Sequence, residues 1–222
     1  MKRSTINKHL KEANLFFEEH HFKLPRWANW STKQWQEQPQ LAKRVKDLQL
    51  GWDITDFASE NFKNVGLVLF CIRNGNALGP VGGKTYAEKI MVQEEEQETP
   101  LHFHYSKRED IINRGGGILA LELYPSSDSG ELLKGQIKVA VDEEEITLEA
   151  GKPLYLEPGQ SISLTPRLYH RFYGVKGKGK VLVGEVSQVN DDKKDNHFHK
   201  ALGRFPEIEE DEQPIFPLWT EL

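Results

Sequence analysis

Residues 101–117 read LHFHYSKREDIINRGGG, from Leu101 to Gly117. Taken as an extended strand, LHFHY directs His102 and His104 to one face, because strand side chains alternate with period two. Leu101, Phe103 and Tyr105 face the other way. Two imidazoles projecting together into an interior can each give a nitrogen to one metal ion at about 2.0–2.3 Å. Glu109 follows His104 by an odd number of residues, so a continuous strand would point it away. The polar SKR insert must therefore turn or bulge the backbone for the carboxylate to join. The RGGG that follows permits a sharp return of the chain, since glycine adopts positive φ freely.

The surrounding sequence says what kind of interior this is. From Val65 onward, short apolar or alternating runs are separated by turn residues: VGLVLFCI, TYAEKIMVQ, LHFHY, ILALELY, QIKVAV, EITLEA, PLYLEP, SISLTP, HRFYGV and VLVGEVS. Ten short strands with short connections specify a mainly β sandwich or barrel. The first sixty residues differ. Ile6, Leu10, Ala13 and Phe17 fall on one helical face, with Ser4 or Thr5 as the expected cap, and this helix ends before Pro25. Ser31 and Gln34 form a capping-box pair, and Leu41, Val45 and Leu48 carry a helical stripe from Pro39 towards Gly51. After Val189 the regular pattern stops. The acidic tail still contains Phe205, Ile208, Phe216, Leu218 and Trp219, which is too apolar for free disorder. The expected organisation is an N-terminal helical segment over 1–60, a barrel over 61–190 and a C-terminal tail over 191–222 that packs back on the barrel.

Composition limits the partners. The 222 residues are 37% hydrophobic and 28% charged with a net charge of −5, so no broad basic surface invites nucleic acid or an anionic membrane. A small ligand is expected. Cys71 is the single cysteine, which excludes an intramolecular disulfide, and its place in VGLVLFCI marks it as a buried thiol. The opening MKRSTINKHLKEANLFF has no signal-like apolar core, and the expectation is a cytoplasmic protein.

A third histidine, His170, follows Pro166 in SLTPRLYHRFYG, where it can enter the same cavity. Three neutral imidazoles and one carboxylate leave two positions of an octahedron open for a chelating substrate. The set His102, His104, Glu109, a glycine-rich return and His170 resembles the two motifs of the cupin superfamily, small double-stranded β-helix or jelly-roll barrels. The longer runs HFHYSKREDIINRGGG, SLTPRLYHRFYG, VLVGEVSQVNDDKKDN and GRFPEIEEDE resemble the D-lyxose isomerase family of cupin-type sugar isomerases. That resemblance implies a cupin barrel with His102, His104, Glu109 and His170 as metal ligands. It also implies a divalent cofactor, manganese foremost, with cobalt, iron, nickel or zinc able to take the same ligands. The implied reaction is D-lyxose to D-xylulose, extending to D-mannose and D-fructose. Other classes share this ligand set: a cupin oxygenase using iron or nickel, and a non-catalytic sugar-binding cupin.

Aldose–ketose isomerisation also needs an acid–base group beyond the metal ligands. The tail supplies Glu207, Glu209, Glu210, Asp211 and Glu212, and Glu207 is the favoured base because Phe205, Pro206 and Ile208 beside it can anchor and desolvate it. Lys89 is a second catalytic candidate, sharing a strand face with Thr85, Ala87 and Met91, although Ile90 and Val92 give the opposite face the larger apolar area. Lys107, Glu209 and the Asp191–Asp192 pair, Asp192 in particular, are candidate contacts to sugar hydroxyls. The second His-x-His pair, His197 and His199, lacks a strand-like setting and is read as tail or interface. Trp27, Trp30, Trp35 and Trp52 add apolar surface, which covers the barrel or a dimer partner, and a homodimer is expected.

Overall fold

The computed structural model describes residues 1–75, 83–191, 194–200, 202–203 and 207–222. Three helices open the chain: α1 (Arg3–Glu19), α2 (Thr32–Gln36) and α3 (Pro39–Asp47). Strands follow as β1 (Gly51–Thr55), β2 (Leu67–Arg73), β3 (Tyr86–Gln93), β4 (Glu98–His104), β5 (Glu109–Gly116), β6 (Leu119–Tyr124) and β7 (Gln136–Val141). The remainder are β8 (Glu144–Glu149), β9 (Leu154–Leu156), β10 (Ser161–Leu164), β11 (Tyr169–Gly174), β12 (Val181–Gln188) and β13 (Asn196–Phe198).

Among the described residues these strands form two antiparallel sheets, one ordered β1-β2-β3-β12-β5-β10-β7-β8 and the other β13-β4-β11-β6-β9. Leu69, Met91, Ile111 and Val183 of the first sheet share one apolar cluster with Leu121, Leu123 and Phe172 of the second. Two sheets closing over a common interior make the cupin jelly roll expected from the sequence.

The outer face of the larger sheet is covered as well. Ile6, Leu10, Ala13 and Phe17 of α1 are buried with Val68 and Phe70 of β2, Ile90 and Val92 of β3, and Leu182 of β12. This accounts for VGLVLFCI, which is apolar at nearly every position instead of alternating: β2 is buried on both faces. Of the four N-terminal tryptophans, Trp27 and Trp52 pack on the chain's own barrel. Trp52 lies between Phe17 and Phe216, parallel to both rings within 12° at 5.8 and 5.9 Å, and its indole N–H donates to the Ala28 carbonyl at 2.9 Å. Trp27 packs on Phe70, and Trp30 and Trp35 pack edge-on nearby. In the tail, Phe216 and Leu218 join the apolar cluster under α1 and Trp219 is buried, whereas Phe205 lies outside the described residues. Arg3, buried at the start of α1, pairs with Glu210 and Glu221 and ties the tail to the first helix.

The structure corrects the sequence reading at several places. β1 lies inside the first sixty residues, which periodicity assigns to helix; Trp52 and Ile54 are buried under α1 while the whole strand pairs with β2. Glu109 opens a strand of its own, β5, which ends at Gly116, so residues 114–116 close that strand and the chain returns from Gly117. Gly116 has φ +83°, and a Cβ there would stand 2.3 Å from the Lys180 carbonyl oxygen, so this close approach to the end of β12 requires glycine. β13 places His197 in a strand, paired with Phe103 of β4. α1 begins at Arg3 with no side-chain cap, and Ser4 instead donates to Asp211, while the Ser31–Gln34 capping box forms as expected. No helix among the described residues is long and apolar enough to cross a membrane.

Leu10 is fully buried between α1 and the sheet. Leu10→Ala is expected to lower unfolding free energy by about 2–5 kcal/mol, read by urea denaturation.

Candidate metal centre

The cavity sits between the sheets, and alternation along five strands fills it with polar groups. β4 brings His102 and His104, β11 brings His170 directly across from His102, and β5 opens with Glu109. β3 and β12 bring Lys89 and Glu185, which face each other in the strand register. The donor atoms of His102, His104 and His170 all lie within 4.8 Å of one another, so the three buried histidines could hold one ion. Glu109 places Oε2 3.3 Å from His104 Nε2 and Oε1 3.1 Å from His170 Nε2. The SKR insert does turn the chain, and this turn is what lets the carboxylate reach the histidines.

Second ring atoms orient the imidazoles. His102 Nδ1 meets the Pro100 carbonyl at 2.7 Å and His170 Nδ1 meets the Leu168 carbonyl at 3.0 Å, which leaves each Nε2 for the centre. His104 Nδ1 is buried with no hydrogen-bond partner. Burial, together with the neighbouring His170 and His104, holds the pKa of His102 well below the ordinary histidine range. Burial and the Lys107 ammonium lower that of His104. A neutral imidazole is the form that ligates. Neutral nitrogens joined by one anionic oxygen suit a first-row divalent ion, and this donor chemistry fits the cofactor expected from the sequence.

Beside the histidines runs a buried chain of charge. Lys107 Nζ lies 2.8 Å from Glu109 Oε2 and 2.8 Å from Glu185 Oε1; Lys89 Nζ lies 3.3 Å from the same Glu185 oxygen and donates to Asn190 Oδ1 at 2.7 Å. Burial alone would raise the Glu109 pKa, but Lys107 and His104 together hold it well below the usual carboxylate range. Glu185 is lowered for the same reason, against its own burial, by Lys107 and Lys89. Lys107 is raised, because the two carboxylates outweigh its desolvation. Both acids are thus held as anions inside the barrel. Lys89 points inward although Ile90 and Val92 form an apolar opposite face, since that face lies under α1.

The tail candidates sit elsewhere. Glu207 is exposed, its carbonyl accepts a hydrogen bond from the N-terminal ammonium, and with Asp56, Glu60 and Glu209 it borders a separate surface cleft. Glu209 is exposed and stands 4.0 Å from Lys2. Neither lines the histidine cavity. Of the apolar neighbours that made Glu207 attractive in sequence, Phe205 and Pro206 lie outside the described residues, and residues 207–210 run beside the start of α1. Asp192 lies outside the described residues. Sequence reasoning passed over Glu185, though VLVGEVSQ carries the same signal as Lys89: a charged residue sharing a face with Val181, Val183 and Ser187. Phe198, on β13, also reaches the cavity, with its ring 5.3 Å from that of His102. His197 stacks on Phe103 outside the cavity and bonds the Tyr105 hydroxyl at 2.9 Å.

Comparison with known proteins agrees with this geometry. The family profile for D-lyxose isomerase matches residues 1–222. A D-lyxose/D-mannose isomerase of Escherichia coli O157:H7 is 49% identical over 222 residues, spanning 100% of this chain and 98% of that protein. A protein of the same name from Serratia proteamaculans is 48% identical over the full chain and 97% of its own length. Among solved structures, a mutant L-ribose isomerase of Acinetobacter sp. DL28 in complex with L-ribose superposes with a TM-score of 0.65 at 15% identity, covering 94% of this chain and 98% of that one. The L-ribose isomerase of Cellulomonas parahominis with L-ribose gives 0.62 at 14% identity with the same coverage. These distant structures establish the shared barrel, while the close relatives select an isomerase over an oxygenase or a non-catalytic binding cupin. The chain belongs to the D-lyxose isomerase family and is an aldose–ketose isomerase.

Proposed function

We propose that the chain converts D-lyxose to D-xylulose and D-mannose to D-fructose, with a divalent ion, manganese foremost, held by His102, His104, Glu109 and His170. The observation that carries this reading is the convergence of three buried histidines and Glu109 on one point, beside a second anionic carboxylate clamped by two lysines. D-Lyxose and D-mannose share the C2 configuration, and the two curated relatives are named for both sugars. A bound divalent ion supplies Lewis acidity towards adjacent sugar oxygens, stabilising the negative charge that isomerisation develops.

The remaining work falls to side chains of this cavity. The C2 proton must leave as the C1 carbonyl becomes an enediol, and a proton must return to C1. Glu185 is the carboxylate placed for this transfer: it lines the cavity, is held as an anion by Lys89 and Lys107, and is outside the ligand set. Lys107, bridging Glu185 and Glu109, stands where an ammonium can support a developing oxyanion. Glu207, the base favoured from sequence, is exposed and borders a different cleft. The homodimer expected from the sequence would bury the N-terminal helices and aromatic residues or a sheet face; Trp52 is already buried on the barrel, whereas Tyr86 and Val186 are exposed on adjacent strands. Light scattering at micromolar concentration separates one chain from two.

Metal analysis is expected to find about one divalent ion per chain, lost together with turnover in His104→Ala and in His170→Ala. Either variant keeping full occupancy removes it from the ligand set. Glu185→Gln is expected to lower turnover roughly 10²–10⁴-fold while retaining metal, with Glu207→Gln near wild type. Ketose formation from D-lyxose measures both, and the opposite ranking returns the base to the tail.

A further inference from the structure

The three histidines of the centre are not oriented alike. His102 and His170 each direct Nδ1 at a main-chain carbonyl two residues upstream in sequence. His104 has no such carbonyl. Its buried Nδ1 faces Oδ2 of Asp195 at 3.8 Å. Asp195 is itself buried, immediately before β13, and far from the motif in sequence. Its carboxylate also gathers the turn between β4 and β5: Oδ1 accepts from the Ser106 amide at 2.9 Å and the Ser106 hydroxyl at 2.7 Å, and Oδ2 accepts from the Lys107 amide at 3.1 Å. The Asp195 carbonyl accepts from the Tyr105 amide at 3.0 Å.

One acid therefore stands 3.8 Å from a ring nitrogen of a candidate ligand and hydrogen-bonds the backbone that delivers Lys107 and Glu109. We propose that Asp195 is a positioning residue of the metal centre, its carboxylate holding His104 as the Nδ1–H tautomer so that Nε2 is the nitrogen offered to the ion. A carboxylate behind a ligating imidazole fixes the ring and makes its far nitrogen more basic than a carbonyl does. His104 is thus the ligand whose donor strength depends on a segment outside its own strand. The inference rests on the ligand set proposed above, and its test separates the two.

Metal-stripped protein is titrated with Co(II), with affinity read by chelator competition and the ligand field by visible absorption. Asp195→Asn keeps the shape but cannot offer acceptors at both oxygens, and is expected to weaken Co(II) binding about tenfold to a hundredfold and to shift the absorption bands. Ser106→Ala removes a donor from the turn and leaves the carboxylate facing His104; its affinity is expected to stay within about threefold of wild type. In a His104→Ala background, Asp195→Asn is expected to cost less than about threefold, because the ring through which it acts is gone. Equal losses in Asp195→Asn and Ser106→Ala, or a full loss persisting without His104, would show a turn brace only and overturn the proposal. The wild-type protein gives a reading that does not depend on any variant folding. In the Zn(II)-loaded form, long-range proton–nitrogen NMR correlations are expected to show His104 as Nδ1–H, with that proton protected from solvent exchange. An Nε2–H tautomer overturns the proposal. Wild-type protein that binds no Co(II) brings down the ligand set and this inference together, whereas tight binding by wild type and Asp195→Asn alike brings down this inference alone.

Discussion

Lys107 between Glu109 and Glu185 is the constraint on which the rest of the site depends. Two carboxylates buried in one barrel would each favour the neutral form, and desolvation pushes both that way. The ammonium lying 2.8 Å from each reverses the outcome and keeps both ionised. An arrangement of this kind stabilises little on net, since removing the charges from water costs about as much as their attraction returns. Its value is chemical: two carboxylates stay anionic inside one cavity, as the proposed metal and proton-transfer roles require, and a single side chain bridges them.

The fold supplies the walls that make this possible. Lys107 sits in the turn between β4 and β5, Glu109 on β5, Glu185 on β12 and the histidines on β4 and β11, so the centre is assembled from both sheets. Strands β2, β3 and β12 face the interior on one side and α1 on the other. Covering the outer face with α1 and the tail's aromatic residues gives these strands apolar contacts that do not depend on the cavity side. The inner face of β3 and β12 can then carry Lys89 and Glu185 while the strands remain buried.

Much of this was legible in the sequence, for identifiable reasons. The His-x-His spacing fixed a common face for two imidazoles, the odd offset of Glu109 required a turn that is present, and the α1 stripe at Ile6, Leu10, Ala13 and Phe17 is the face that packs. Alternation put Lys89 on a face with Ala87 and Met91 but left its direction open, because the more apolar opposite face lies under α1. Glu185 was equally readable, as a lone acid among inward valines, but a tail rich in acids drew the assignment of the base towards Glu207. The tail's position depends on nonlocal pairs such as Arg3 with Glu210, and no local pattern encodes them. Asp195 and Phe198 were hidden for the same reason, because β13 is three residues long and exists only by pairing with β4. β1 was lost to the helical stripe preceding it, since a five-residue strand following Leu41, Val45 and Leu48 leaves too little alternation to separate.

The most direct test of the account is a crystal structure of manganese-loaded protein with anomalous scattering collected above and below the manganese edge. The account predicts one anomalous peak per chain, enclosed by His102 Nε2, His104 Nε2, His170 Nε2 and a Glu109 oxygen, with Glu185 facing the cavity and outside bonding distance. A peak at His197 and His199, or at the surface cleft beside Glu207 and Glu209, with none between the three buried histidines, would contradict it.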